Sequence, residues 1–342
     1  MPPIETSVLI LTWNSRELVG DAIASALGQS VGPIEVLVLD NASGDGTPEQ
    51  VAHRFGQQVR LVCLTENLGY TGGYNIGLQL AAGQFLLLLN PDARLEPDFL
   101  EHALPAFDDP RVGIVSGCAL REDRRTVDSS GQFLARSRKT IDRGYGRPFD
   151  PRRDRAGPVL SACGAAALYR REMVDDIADE GAFFDRDYFA LHEDLEVGWR
   201  AWRAGWAALA VPQARAVHLR AGGAVGQAGR LAFRRSPTVL AHIVKNRWMA
   251  MIRHDAVGSL IVDLPFIVAR DAALWSVLLL RRGDAVRHLW RLRAAYRSSW
   301  IKRRADRHRE GRWGRWRTDT PQRGVWSAPG TSTSIAPRHD LA

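Results

Sequence analysis

Cysteine is scarce in this 342-residue chain, with three residues at positions 63, 118 and 163. An odd number without Cys-x-x-Cys or metal-ligand spacing gives no sign of a disulfide framework or a zinc site, and it suits a reducing compartment. The N-terminal segment also does not resemble a secretory leader. The start, MPPIETSVLILTWN, has no basic n-region and only a short apolar run, so the expectation is a protein facing the cytosol. Nor is there a clean membrane-crossing run. Val257–Leu280 has the length but carries Asp263, Arg270 and Asp271, which favours an interfacial hairpin or a packed helix pair over a span.

What is present is apolar content of 45%, enough to bury a sizeable core in one large domain with an appendage, or in two domains. Charge is unevenly spread. Residues 231–342 hold 22 Lys and Arg against 8 Asp and Glu, net +14, which leaves residues 1–230 at net −6. A basic segment on an acidic body seeks phosphate, whether on lipid headgroups, lipid-linked substrates or nucleic acid.

The N-terminal part alternates strand, polar loop and helix. Val8–Leu11 is an apolar run followed by Thr12-Trp13-Asn14-Ser15, then Leu18, Ala22, Ile23, Ala26 and Leu27 at helical spacing. The unit recurs: Ile34–Leu39 reads as a strand, Asp40–Thr47 as a loop, and Pro48 as the first turn of a helix over Glu49–Phe55. A strand over Val59–Leu64, a helix over Gly72–Ala82 and a strand over Phe85–Leu89 follow, ending at Asn90-Pro91-Asp92. Continuously apolar strands alternating with helices predict an α/β fold with a mostly parallel sheet covered on both faces. Ligands of such sheets bind beyond the carboxyl ends of the strands, where Thr12, Asp40 and Asp92 fall.

Beyond about residue 115 the pattern loosens. The charged, Gly-rich stretch from Arg121 to Gly157 reads as a mobile loop or insertion. Val159–Tyr169 is small and apolar, Leu195–Ala204 reads as a helix, Ala207–Val211 and Ala214–His218 as two short strands, and the body ends near Gly229. Val239–Trp300 reads as helical, interrupted at Pro265. Residues 281–317 mix 14 Arg and Lys with Trp290, Trp300, Trp313 and Trp316. That composition fits a helix lying in anionic headgroups, or an exposed basic helix docked on the body. From Thr318 onward Thr, Ser, Pro and Gly predict a disordered tail.

Four segments can carry chemistry, and each has a plain structural reading beside the functional one. Asp40–Thr47 places a carboxylate where a base or ribose could be read, or forms an Asx turn before a helix. Asn90-Pro91-Asp92 puts Asp92 where a divalent cation could bridge it to a diphosphate, or is a simple turn. His192-Glu193-Asp194-Leu195-Glu196 opens a helix, so Asp194 is a general base or merely a cap. His218 ends a strand before a flexible Leu219-Arg220-Ala221-Gly222-Gly223 run that could close over a diphosphate, or is a structural histidine.

The joint order of these segments resembles family-2 glycosyltransferases, in particular their rhamnosyltransferase-like members. The resemblance runs through Val8–Asn14, Val38–Thr47, Glu66–Leu78 with its Asn67, Gly73 and Asn75, Asn90–Asp92, Gly164–Arg171 and His192–Ala201, and covers roughly residues 6–222. It implies a GT-A fold, a nucleotide-sugar donor and inverting transfer by single displacement. By the same resemblance, Thr12, Asn14, Asp40, Asn67, Gly73, Asn75 and Asn90 line the donor pocket. Asp92 corresponds to the last acid of the family's D-x-D element and, with His218, would hold Mg²⁺ or Mn²⁺; Asn90 stands where the first acid is expected. Asp194 corresponds to the catalytic base, with Glu193 orienting it or touching the acceptor. The implied donor is dTDP-rhamnose.

The expected layout is a donor-binding half over residues 1–115, an acceptor and catalytic half over 116–230, a basic amphipathic extension over 231–317, and the tail over 318–342. The basic, Trp-rich extension predicts an anionic membrane partner through residues 257–317 and a lipid-linked or glycan acceptor in cell-envelope polysaccharide assembly. The protein would then sit in the cytoplasm at the inner face of the membrane. A nucleic-acid partner is not expected, because the acidic body offers no extended groove. A non-catalytic nucleotide-sugar-binding protein of the same fold is the alternative.

Overall fold

The structure is a computed structural model that describes residues 4–220 and 236–309. Expectations about the 221–235 segment, the 318–342 tail, Trp313 and Trp316 fall outside the described residues.

The first half alternates as its periodicity predicts: β1 (Thr6–Thr12), α1 (Val19–Leu27), β2 (Ile34–Asp40), α2 (Thr47–Phe55), β3 (Arg60–Cys63), α3 (Gly69–Leu80) and β4 (Phe85–Leu89). Short β5 (Ala93–Leu95) and α4 (Phe99–Ala103) lead to β6 (Val112–Leu120), β7 (Val127–Ser129), β8 (Gln132–Leu134), β9 (Thr140–Asp142), β10 (Gly157–Val159) and β11 (Ala166–Arg170). Next come α5 (Arg171–Ile177), α6 (Glu193–Arg203) and β12 (Ala207–His218). The remaining helices are α7 (Pro237–His254), α8 (Val257–Arg281), α9 (Gly283–Arg291) and α10 (Ala294–Arg309).

The main sheet runs β10-β12-β6-β11-β4-β1-β2-β3. β4, β1, β2 and β3 are mutually parallel, and β12 is parallel to β6, while β11 runs antiparallel between β4 and β6. Alternate residues of one strand feed different cores. Val8 and Ile10 pack with α1, α2 and α4, whereas Leu9 and Leu11 pack with residues of α3, α5 and α6. This two-sided burial is why the strands read as unbroken apolar runs. Helix α3 lies so close to β1 that a Cβ at Gly73 would strike Leu11. The carboxyl ends of β1, β2, β4, β6 and β12 all point to one edge, and the chemistry collects there.

Three expectations need correction. Residues 121–157 are a folded segment, with β8 and β9 forming a hairpin and β7 pairing with β6. Some of its charges pair inward: Arg138 is fully buried against Asp255 and Asp263. Gly131, Gly144 and Gly146 take positive φ values that permit the tight turns. Ala207–His218 is one strand with a register shift between Ala210 and Arg215, around Pro212, instead of two strands. Val257–Leu280 belongs to a single helix with Pro265 inside it, so there is no hairpin. Among the described residues no helix is long and apolar enough to cross a membrane.

The C-terminal helices are built into the body. Within them, Leu240, Val244, Leu278, Ala285 and Leu289 form their own core. Toward the body, α7 buries Lys245, Asn246, Arg253 and His254 against the segment that precedes and includes α6.

Candidate active site

On the donor side, β1 ends at Thr12, whose hydroxyl is buried without a hydrogen-bond partner. Asn14 takes a positive φ of 49° and ties the two loops together: its amide N–H donates to Ser43 Oγ at 2.8 Å and its Oδ1 accepts from Gly44 N–H at 2.8 Å. Asp40 at the end of β2 is buried. One carboxylate oxygen accepts from Ser43 N–H at 2.9 Å while the other, Oδ1, has no partner. A buried carboxylate oxygen left open costs free energy unless a ligand supplies a donor, and this is what an N–H of a base or a ribose hydroxyl would do. Trp13, 54% exposed, offers an aromatic face beside these groups.

Other expected donor residues prove to be occupied. Asn67 Oδ1 accepts from Asn41 Nδ2 and from Gly69 N–H. Asn75 spends both ends of its amide on Phe184, accepting from its N–H at 2.9 Å and donating to its carbonyl at 2.8 Å. These two side chains hold the pocket wall together, and Gly73 acts through the close approach of α3 to β1. Asn90 sits in the turn after β4, where its N–H donates to Ala165 carbonyl and its own carbonyl accepts from Ala93 N–H.

Asp92 and His218 are brought together by the pairing of β5 with the end of β12, which sets His218 opposite Ala93. His218 Nε2 lies 3.4 Å from Asp92 Oδ1, and its Nδ1 lies 2.9 Å from Asp128, a carboxylate with no exposure at all. Burial lowers the His218 pKa, but its hydrogen bonds to Asp128 and Asp92 outweigh that and raise it to about 9. Asp128 also receives the Arg220 guanidinium. Asp92 could supply an oxygen to a divalent cation of the Mg²⁺ or Mn²⁺ kind, and His218 could add Nε2 once the cation displaces the proton that this nitrogen shares with Asp92. The described residues hold no group of three or more potential metal ligands, so the remaining positions would fall to diphosphate and water.

The third group stands at the start of α6. Phe189, Leu191 and His192 all have positive φ, between 64° and 75°. Such strain in non-glycine residues persists only where the surroundings over-determine it. Here Asn246 of α7, fully buried, donates from one amide nitrogen to the carbonyls of Tyr188, Ala190 and Leu191. The turn so held delivers Glu193 and Asp194 to the helix N-terminus. Asp194 Oδ1 accepts from Leu195 N–H at 2.8 Å, and Oδ2 accepts from Gln132 Nε2 at 2.9 Å and Gly164 N–H at 3.3 Å.

Burial is the main cause that raises Asp194 to about 6; the Leu195 N–H opposes it and the nearby Asp142 carboxylate adds to it. Glu193 is pushed well above the usual carboxylate range by burial and by Asp194 beside it. Two adjacent carboxyls in such surroundings divide their roles, Glu193 holding its proton and Asp194 ionising first. The Glu193 Oε2 atom has no partner.

Gln132, Asp128 and Asn246 escaped the sequence reading. Gln132 and Asp128 lie in the 121–157 stretch, whose composition reads as a loop, and the small, polar Asp128-Ser129-Ser130-Gly131-Gln132 run is the one local signal for them. Gln132 is 7% exposed, holds Asp142 as well as Asp194, and leaves its Oε1 buried without a partner. Replacing Gln132 by Leu removes a donor from the ionised base. The acid limb of the kcat profile is expected to move up by about one pH unit, with donor affinity unchanged. An unmoved limb would show that Gln132 does not set the charge on Asp194.

The sheet, with its acids at the strand ends, has the GT-A arrangement, and the sequence model described as glycosyl transferase family 2 matches residues 7–178. The chain belongs to that family. It is 30% identical over 213 residues, 55% of its length, to the N-acetylglucosaminyl-diphospho-decaprenol L-rhamnosyltransferase of Mycobacterium tuberculosis, of which the match covers 67%. It is 34% identical over 104 residues to the succinoglycan biosynthesis protein ExoO of Rhizobium meliloti, covering 30% of each chain. Its fold is shared with a Pyrobaculum calidifontis mannosyltransferase solved with GDP-Man and Mn²⁺, at TM-score 0.52 and 21% identity over 88% of this chain and 84% of that one. S. aureus TarS 1–349 in complex with UDP-GlcNAc gives TM-score 0.53 at 16% identity, over 91% and 92%.

Proposed function

We propose that the protein is an inverting glycosyltransferase that moves a sugar, with dTDP-rhamnose as the donor, to a hydroxyl of a lipid-linked or glycan acceptor in cell-envelope polysaccharide assembly. The observation that carries this reading is Asp194, half-buried, held by three donors and raised to about 6, which is a base able to work near neutral pH. The rhamnosyltransferase and exopolysaccharide relatives support the direction of the substrate assignment.

In the proposed reaction the acceptor oxygen attacks the anomeric carbon from the side opposite the diphosphate. Its proton passes to the Asp194 carboxylate as the new C–O bond forms. The bond from the anomeric carbon to the diphosphate oxygen breaks, and the nucleoside diphosphate leaves with the electron pair. Asp40 Oδ1 and the Thr12 hydroxyl would receive the nucleoside, and Asn14 would hold the loop around it. Asp92 and His218 would hold a Mg²⁺ or Mn²⁺ ion, whose charge offsets that developing on the leaving group. Protonated Glu193 would keep a second negative charge away from Asp194 and offer a donor toward the acceptor. The protein would act in the cytoplasm at the inner face of the membrane, where lipid-linked acceptors lie.

A thermal-shift panel of nucleotide sugars, each with and without Mn²⁺, tests the donor. dTDP-rhamnose is expected to raise the midpoint most, and more with the ion than without, since ligands stabilise the native state by mass action. A larger shift with another nucleotide sugar would replace the donor assignment. Binding without transfer to any lipid-linked sugar would favour a non-catalytic role.

A further inference from the structure

Helix α8 is inside out. From Val257 to Leu280 its buried positions are Asp263, Ile267, Asp271 and Leu278, two of the four being carboxylates. Its exposed positions are apolar or glycine with Ser276 as the exception. Ile261, Leu264, Phe266, Val268, Leu279 and Leu280 are each between 45% and 84% exposed. A helix on a water-facing surface carries the reverse pattern.

The two buried acids explain how this orientation is held. Asp263 accepts from Arg136 at 2.7 Å and Arg138 at 2.8 Å, both on the turn between β8 and β9. Asp271 accepts from Arg247 of α7 at 2.7 Å. Rotating α8 to hide its apolar face would break these pairs and strand buried arginines, at a cost larger than a rim contact could return. The fold therefore enforces an apolar face about 37 Å long at 1.5 Å per residue, over 25 residues.

The border of that face is cationic. The Arg136 guanidinium, half exposed, sits 3.9 Å over the Phe266 ring. The exposed Arg281 follows Leu280 directly, Arg282 behind it is paired with Asp284, and the exposed Arg287, Arg291 and Arg293 continue along α9 and just past it. Trp290 and Trp300, at 69% and 53% exposed, occupy the amphipathic positions that suit a water–lipid boundary. A second copy of the chain would bring the same excess of arginine against itself. An anionic lipid surface supplies the opposite charge and an apolar medium together.

We infer that α8 lies in the plane of an anionic bilayer with its apolar face among the acyl chains, and that the arginines bordering it meet the headgroups. This deepens the proposed location at the membrane and rests on it, and it narrows the anchoring element from residues 257–317 to the apolar face of α8. The hairpin that clasps Asp263 also carries Gln132, so the surface is joined through one short element to the residue that holds Asp194.

Co-sedimentation of the full chain with vesicles tests the assignment, using phosphatidylcholine alone and mixed with phosphatidylglycerol. The chain is expected to bind the mixed vesicles. Ile261→Gln, Leu264→Gln and Leu280→Gln combined should weaken binding by about tenfold or more, because apolar area enters the bilayer. All three side chains are exposed, so thermal midpoint and donor-induced shift should stay as in the parent. Parent-like vesicle binding by the triple variant would overturn the inference, as would a dimer in sedimentation velocity that the same substitutions abolish. Transfer to a water-soluble acceptor without vesicles reads the glycosyltransferase proposal separately, so the two can fail independently.

Discussion

Replacing Asp194 by Asn is expected to lower kcat by about a thousandfold while leaving donor affinity within about twofold, because general-base groups contribute roughly 10²–10⁴ and touch the acceptor proton, not the nucleotide. The amide keeps the size and can still accept from Leu195 N–H, so a folding defect is not expected. The pH behaviour carries a second signature. In the parent enzyme, activity should rise with pH through about 6 as Asp194 loses its proton. That limb should vanish in Asp194→Asn.

Stability should move the other way. Burial raises the folded-state pKa of Asp194 above its unfolded value, so the native state binds the proton more tightly, and this contribution is lost as pH rises through about 6. At neutral pH the ionised group therefore opposes folding. Its amide replacement is expected to raise the thermal midpoint at pH 7.5 and to change it little at pH 4. Lost turnover separates a base from a helix cap, since asparagine caps as well as aspartate and a mere cap would leave turnover unchanged. Retained turnover would remove Asp194 from the reaction.

Replacing Arg253 by Met should have the largest effect on stability, about 3–5 kcal/mol in denaturant unfolding, the range for removing one partner of a buried ion pair. Arg253 is 1% exposed. It pairs with Asp306 at 2.9 Å, Asp179 at 3.1 Å, Asp185 at 3.4 Å and Glu196 at 3.6 Å. Truncation leaves several buried carboxylates facing each other without their shared cation. Glu196 also receives His254 at 2.8 Å and Arg200 at 2.9 Å, and those bonds remain, so α6 loses part of its anchoring. A loss below about 1 kcal/mol would show that the network is solvated and that α7 is only loosely attached. Arg253→Lys should recover part of the loss, since the charge returns without the planar fork.

Much of the donor half was legible in the residues because its signals are local. A strand buried on both faces is a run of apolar residues, and the polar residue that ends it lies at the ligand edge, so Thr12, Asp40 and Asp92 could be placed by counting. What such counting misses is whether a side chain is already engaged. Asn75 and Asp40 look equally available in sequence, yet Phe184, 109 residues away, takes both ends of Asn75, while one oxygen of Asp40 stays open. The 121–157 segment misled for a related reason. Its charge and glycine suggested a mobile loop, but Arg138 finds Asp255 and Asp263 more than a hundred residues later. Charges paired across such distances look the same in sequence as charges facing water.

Asp194 marks the boundary between the two kinds of information. The sequence by itself determined that an acidic pair opens the helix before β12 and that acids close β2 and follow β4, because strand and helix periods and turn chemistry act over a few residues; the order of these segments carried the resemblance to a sugar-transferring family. The tertiary structure alone decided that Asp194 is desolvated and held by Gln132 from 62 residues upstream, on a turn fastened by Asn246 from α7. It also decided that α8 turns its carboxylates inward and its apolar face out. Desolvation and the partner of a charge depend on which distant residues the fold brings within a few ångströms, and no local pattern contains that.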